Sequence, residues 1–300
     1  MHKVVIIGCG KIAGYWDLPR RFDSYGHATG YLQDGRFLLA GCVDTDLCRL
    51  SSFAEKYSIS VRGDHLETVL DRVDPSVVSV TSPDETHYEI VMRVLTNKTA
   101  ALRLIFLEKP VCLNRKQMDS LLQASEEYGV PLLVNHSRRF QPFYSDLKRR
   151  IKNQEYGELI GMYMTYYGGW IHNGVHLVDT TQYLFSQELK DLREVECVDS
   201  NALSDPTLTV RGTLGANRIP VWFHGWDGSH YQIFEFDMRF ERGRLRIGNF
   251  EQQILWEGVK INAMNERILE GEAYCPPDYS ETPIQNAVSI ISDYLKTEDV

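Results

Sequence analysis

The chain has 300 residues, of which 43% are hydrophobic and 24% charged, which excludes a disordered, collagenous or coiled-coil protein and allows two domains. The formal charge is −9, from 41 acidic and 32 basic residues, so there is no general attraction to nucleic acid or anionic membrane. Six cysteines, Cys9, Cys42, Cys48, Cys112, Cys197 and Cys275, form no CxxC pair, and the opening MHKVVIIGCG lacks a small-residue cleavage site. These features predict a cytoplasmic protein with reduced thiols and no zinc centre.

The first 134 residues alternate between two hydrophobic periods. Unbroken apolar runs at Val4–Ile7, Phe37–Val43, Val77–Thr81, Leu102–Leu107 and Leu132–Val134 predict strands of a parallel sheet covered on both faces. Asp46–Tyr57 places Leu47, Leu50, Phe53, Ala54 and Tyr57 on one helical stripe. Asp64 with Glu67 reads as a capping box. Asn114 reads as the cap of a helix stopping before Gly129. The repetition predicts a doubly wound α/β domain over 1–134. From 135 to 300 the pattern changes. Helical segments Phe143–Lys152 and Val175–Phe185 flank a strand, Leu159–Tyr167. Strand-like segments then recur at Leu208–Gly212, Val221–Gly225, Gln232–Phe240, Arg244–Ile247 and Gln253–Trp256. An α+β domain with an open, mainly antiparallel sheet of five or six strands is expected. A last helix, 283–294, is free to pack back on the first domain.

The first strand runs into Gly8-Cys9-Gly10-Lys11-Ile12-Ala13, a GxGxxA turn. Gly8 permits the tight turn, Gly10 lets a pyrophosphate approach the backbone, and Ala13 lets the helix pack on the sheet. Lys11 and Ile12 open that helix, whose free N–H groups face the phosphates. Asp44, after the second strand, is placed to accept hydrogen bonds from the ribose hydroxyls of NAD, and Arg49 leaves NADP open. Asp44 lies 36 residues beyond Gly8 against a usual spacing of about 20, so an insertion at Tyr15–Ser24 is inferred after a short first helix. The fifth strand ends in Glu108-Lys109-Pro110, at the carboxyl edge where such folds bind ligands. An ammonium there favours the alkoxide-like charge that develops as hydride leaves.

GCGKIA, VDTD, SVTSPDETHYEIVMRVL, EKP, NHSRRFQP and GWIHNGVHLVD occur in this order. Together they resemble the glucose–fructose oxidoreductase / inositol dehydrogenase / MocA family, over the first domain and the opening of the second. The resemblance implies a Rossmann domain, a large open sheet often used for oligomerisation, and NAD(P)-dependent oxidation of sugars, cyclitols or nucleotide-linked sugars. By it, Lys109 contacts substrate and cofactor, Glu108 beside it is a cofactor contact, and His176 is the general acid/base. Ser82, Pro83 and His87 match the cofactor-side loop. Asn135 and Arg139 match the segment at the domain junction. His172 stands where many members have aspartate, four residues before the histidine.

His176 is placed in the first turn of its helix, where the dipole disfavours the imidazolium and suits a general base. His172, Asn173, Arg139 and Asp179 are the candidate substrate contacts in a cleft between the domains. No metal-ligand spacing is present. The leading expectation is hydride transfer between a nicotinamide and a secondary alcohol. A non-catalytic dinucleotide-binding sensor and a lyase or glycosidase that uses NAD without net redox are the alternatives. The open sheet predicts a homodimer or homotetramer.

Overall fold

The computed structural model describes residues 1–17, 25–199, 204–273 and 281–297. Cys275 and residues 18–24 of the expected insertion lie outside them. The chain divides into two compact units, Met1–Gln141 with Tyr279–Val300, and Pro142–Asp278.

The first unit alternates β1 (His2–Ile7), α1 (His27–Asp34), β2 (Phe37–Val43), α2 (Leu47–Lys56), β3 (Val61–Gly63), α3 (Leu66–Val73), β4 (Val77–Val80), α4 (His87–Thr96), β5 (Leu104–Leu107), α5 (Arg115–Tyr128) and β6 (Leu132–Val134). The strands form one parallel sheet in the order β3-β2-β1-β4-β5-β6. This is the doubly wound arrangement, with its switch point between β1 and β4. Val4–Ile7 of β1 and all of β4 and β5 are buried because helices cover both sheet faces. Asp46 caps α2 by accepting from the N–H groups of Cys48 and Arg49, both at 3.0 Å. Asn114 caps α5, and Gly129 ends it in the left-handed conformation. The Asp64–Glu67 box does not form. His65 is the residue before α3 and makes no side-chain cap bond, and Glu67 instead pairs with Arg93 on α4. The short edge strand β3 has too few residues to show a hydrophobic period.

The insertion splits the first helix rather than following it. The N–H groups of His27 and Ala28 donate to the carbonyls of Ile12 and Ala13, both at 3.0 Å, so α1 resumes the turn begun at Lys11–Gly14. A Cβ on Gly26 would stand 2.4 Å from Gly14 Cα. The two ends of the excursion are therefore in backbone contact. Asp17 accepts from Gly26 N at 2.8 Å and from the Thr29 hydroxyl at 2.5 Å. Lys56 Nζ donates to the carbonyls of Gly14 (2.9 Å) and Tyr15 (2.7 Å). Removing the excursion brings the Gly8-to-Asp44 spacing into the usual range.

Residues 135–141, assigned to the second domain from sequence, pack with the first unit. Asn135 N donates to Leu107 O at 2.8 Å, and Phe140 joins a core with Phe106, Ile284 and Val288. The last helix, Pro283–Thr297, supplies five buried apolar residues to that same core.

The second unit opens with α6 (Pro142–Lys152), β7 (Leu159–Tyr167), a wide π-helical turn at Trp170–Gly174, and α7 (Val175–Phe185). β8 (Leu189–Asp199), β9 (Thr207–Leu214), β10 (Ile219–Trp226), β11 (Glu235–Phe240), β12 (Gly243–Gly248), β13 (Gln253–Ile261) and β14 (Arg267–Ala273) follow. The sheet has eight strands, in the order β14-β13-β12-β11-β7-β10-β9-β8, antiparallel except for the β7–β10 pair. β8 and β14 extend the expected five or six strands. β8 went unread because its residues are mostly exposed, with charges among them, which hides the period that burial imposes.

One sheet face packs Met162, Met164, Tyr166, Phe223 and Phe236 with Leu177 and Leu184 of α7 and Leu147 of α6. The opposite face carries a charged ladder across β11, β12 and β13, beside the exposed Tyr163 of β7. Arg244 donates to both Asp237 oxygens at 2.8 and 2.6 Å. Arg246 Nε stands 3.1 Å from Glu257, and Arg239 lies 4.4 Å over the Tyr163 ring. Tyr163, Asp237, Arg244 and Arg246 line a depression of about 680 Å³.

Candidate active site

At the carboxyl edge of the first sheet, the glycine turn joins β1 to the first turn of the split helix. Gly8 has φ +89°, and a Cβ there would fall 2.6 Å from Ser82 N. Only glycine allows the loop after β4 to approach so closely. Thr81 Oγ1 straps the two together by donating toward Ile7 O at 3.1 Å and Gly8 O at 2.6 Å. A Cβ at Gly10 would meet nothing within 4 Å, which leaves space above the turn of the kind a pyrophosphate fills. Lys11 and Ile12 are exposed beside it. Asp44 is buried, accepting from Cys9 N at 2.7 Å and Asp46 N at 2.8 Å. Each carboxylate oxygen keeps acceptor capacity for a ribose hydroxyl. Arg49 lies 3.6 Å from Asp44 and 3.0 Å from Asp46. The Asp46 carboxyl is held below its usual range, first by the Arg49 backbone N–H and then by the Arg49 charge and the Cys48 N–H.

Glu108, Lys109 and Pro110 follow β5 at the same edge, next to β4 and β6. Glu108 is buried and turned inward. Its Oε1 accepts from Asn135 Nδ2 at 2.6 Å and lies 3.0 Å from His27 Nε2. The other His27 nitrogen is 3.3 Å from Ser79 Oγ, which also pairs with the Tyr31 hydroxyl at 2.9 Å. Burial pushes the Glu108 carboxyl up, but His27, the Asn135 amide and the Lys109 charge outweigh it and hold the carboxyl below the usual range. Glu108, read from sequence as a cofactor contact, is thus a buried brace beneath Lys109. Lys109 itself is half-buried, and its peptide bond to Pro110 is cis.

His87 also differs from its expected role. It is fully buried, with its ring nitrogens 2.6 Å from Pro110 O and 2.8 Å from Ser82 O. It therefore ties the loop after β4 to the turn after β5 instead of facing a ligand. Pro83 is exposed, and Ser82 Oγ accepts from the Thr86 hydroxyl at 2.7 Å. Sequence reasoning missed His27, because a partner 81 residues away leaves no local signal.

In the second unit, the turn Trp170–Gly174 leads directly into α7. The true helix start therefore lies at Trp170 rather than beside His176. The free N–H groups there belong to Ile171 and His172, and Asp205 accepts both, at 2.7 and 2.8 Å. The helix-end dipole expected to act on His176 is thus set back by more than a turn and capped by a carboxylate. Asn173 spends its amide on Tyr167 O at 2.8 Å, so it anchors the turn. His172 is exposed, while His176 and Asp179 are half-buried on α7. Arg139 falls in the first unit, on the turn Ser137–Phe140. Among the described residues no group of three or more His, Cys, Asp or Glu side chains is arranged to hold a metal, and no helix is long and apolar enough to cross a membrane.

The strand order, the glycine turn and the acidic residue after β2 define a dinucleotide-binding Rossmann domain. Residues 2–136 match the model of an oxidoreductase family with an NAD-binding Rossmann fold. D-glucoside 3-dehydrogenase of Escherichia coli (strain K12) is 26% identical over 253 residues, covering 77% of this chain and 64% of that protein. With YrbE of Bacillus subtilis (strain 168), an oxidoreductase, the match covers 61% of the relative at 23% identity. The chain thus spans less than two thirds of the length of these relatives. The 3-ketoreductase KijD10 of Actinomadura kijaniata, solved with NADP, shares the fold with TM-score 0.76 at 18% identity, over 99% of this chain and 90% of that one. A Gal80p super-repressor mutant from Saccharomyces cerevisiae shares it with TM-score 0.78 at 18% identity, over 100% and 86%.

Proposed function

We propose that the chain is an NAD(P)-dependent oxidoreductase that interconverts a secondary hydroxyl and a ketone on a sugar, cyclitol or nucleotide-linked sugar. The observation that carries this is Lys109, set at the carboxyl edge of a parallel NAD-binding sheet and braced from below by the buried Glu108–His27–Asn135 group. When bound, the nicotinamide accepts or returns a hydride. Gly8, Gly10 and Asp44 hold the dinucleotide. Lys109 donates a hydrogen bond to the reacting oxygen and favours its developing negative charge. His176 takes the hydroxyl proton during oxidation and returns it during reduction. His172, Asp179 and Arg139 contact further hydroxyls. Asp44 favours NAD, and Arg49 beside it keeps NADP within reach.

The test is nicotinamide absorbance across a polyol panel for the wild type and for Lys109→Ala and His176→Ala. Each variant should lose about 10²-fold or more in kcat/KM. Undiminished turnover in both would refute the roles. His172 in place of the family aspartate favours a second reading, a dinucleotide-binding sensor. Binding of NADH with no reduction of any ketone would support that one. The uncovered face of the eight-stranded sheet is the proposed surface of a cytoplasmic homodimer or homotetramer, and light scattering at one chain's mass would exclude it.

A further inference from the structure

The hairpin between β12 and β13 holds three consecutive residues, Asn249, Phe250 and Glu251, in the left-handed region, with φ of 48°, 51° and 65°. None is glycine. Each such residue is costly for an L-amino acid, and runs of them are rare outside functional sites. The surroundings hold the tip in place. Gln252 N donates to Asn249 O at 3.2 Å, Asn249 Nδ2 to Gln252 Oε1 at 2.9 Å, and the Tyr144 hydroxyl to Glu251 Oε1 at 2.8 Å.

The consequence of this backbone is the position of Phe250. Its ring stacks on Phe234 at 6.3 Å and 26°, and meets Tyr167 edge-on at 6.2 Å. Phe234 in turn meets the His176 ring edge-on at 6.2 Å. The register explains the meeting. Glu235 pairs with Thr165 and Phe236 with Ile247, so the end of β7, the start of β11 and the β12–β13 tip lie at one end of the sheet. Phe234 is only 4% exposed, whereas Phe250 is 38% exposed. The Phe250 ring, packed on two aromatics yet more than one third exposed on a tip of unfavourable backbone, keeps a surface open to a ligand.

We infer that Phe250 is a specificity-determining residue that stacks on the C–H face of the substrate's pyranose or cyclitol ring, on an aromatic wall continuous with His176 through Phe234. The inference rests on the oxidoreductase reading for the identity of the reacting ring. It selects rings with equatorial hydroxyls on the stacked face, because an axial hydroxyl would hold the ring off the aromatic surface and lose its water partners.

The test uses methyl β-D-glucoside and scyllo-inositol as probes, each against its epimer with one axial hydroxyl. Saturation-transfer NMR reports contact with the ring C–H groups, and steady-state kinetics reports turnover. Phe250→Ala should abolish most of the saturation transfer and raise KM roughly three- to tenfold, with kcat within about twofold. It should also narrow the preference for the equatorial ring. Phe250→Trp should restore both, which separates stacking from damage to the hairpin. NADH binding should be unchanged in all variants. If Phe250→Ala retains wild-type KM and epimer preference, or if the wild type shows saturation transfer to neither probe, the inference is overturned. If the wild type contacts the probes through Phe250 but oxidises no polyol, the inference stands and the oxidoreductase reading fails.

Discussion

The two units solve the problem of polar groups in opposite ways. In the first, helices cover both sheet faces, and His27, Tyr31, Ser79, Glu108 and Asn135 are buried at or below the ligand-binding edge in one hydrogen-bonded group, while the buried His87 ring meets two backbone carbonyls. In the second, helices cover one face only. The charges stand on the other in the Asp237–Arg244–Glu257–Arg246 ladder, and the Phe234 ring meets His176 edge-on. A dry charged group is positioned rigidly but depends wholly on its partners. A half-exposed pair contributes little to stability and is free to serve recognition.

The sharpest way to break this contrast is Glu108→Ala. It leaves His27 and Asn135 without their shared acceptor and should cost on the order of 3 kcal/mol, read by denaturant unfolding. The sign with pH follows from the depressed carboxyl. The ionised carboxylate's contribution is full above the ordinary glutamate range near 4.3 and is lost as pH falls through the lower folded value. Acid should therefore narrow the gap between wild type and variant, and a gap independent of pH would contradict the ionised carboxylate. Asp205→Ala comes next. It frees two N–H groups at the start of the helix that carries His176, and should cost about 1 kcal/mol in stability. NADH affinity should not change. The smallest effect is expected from Arg244→Ala on the open face, below about 1 kcal/mol in a monomeric state. A larger loss that depends on protein concentration would show that the ladder is buried in an oligomer.

The legibility of the sequence follows the same division. Strands buried on both faces, such as Val77–Val80 and Leu104–Leu107, announce themselves as apolar runs, and the sharp turns at Gly8 and Lys109-Pro110 require particular residues. Asn114 was readable as a cap because its partner is three residues away. The brace beneath Lys109 was not readable, since His27, Glu108 and Asn135 meet only in the folded sheet. The split helix left one trace, the overlong spacing from Gly8 to Asp44. Its cause became visible only when Ile12 and Ala13 were found bonded to His27 and Ala28. Asp205 and Phe250 had no signal, because neither a carboxylate in a loop nor an aromatic in a hairpin tip is unusual by itself.

The most direct test follows the hydride. Wild-type protein would be incubated with oxidised nicotinamide cofactor and polyols deuterated at the carbinol carbon, and the recovered cofactor weighed by mass spectrometry. The account predicts one deuterium on the reduced cofactor, and little or none with Lys109→Ala. Cofactor that binds but gains no deuterium from any polyol in the panel would contradict it.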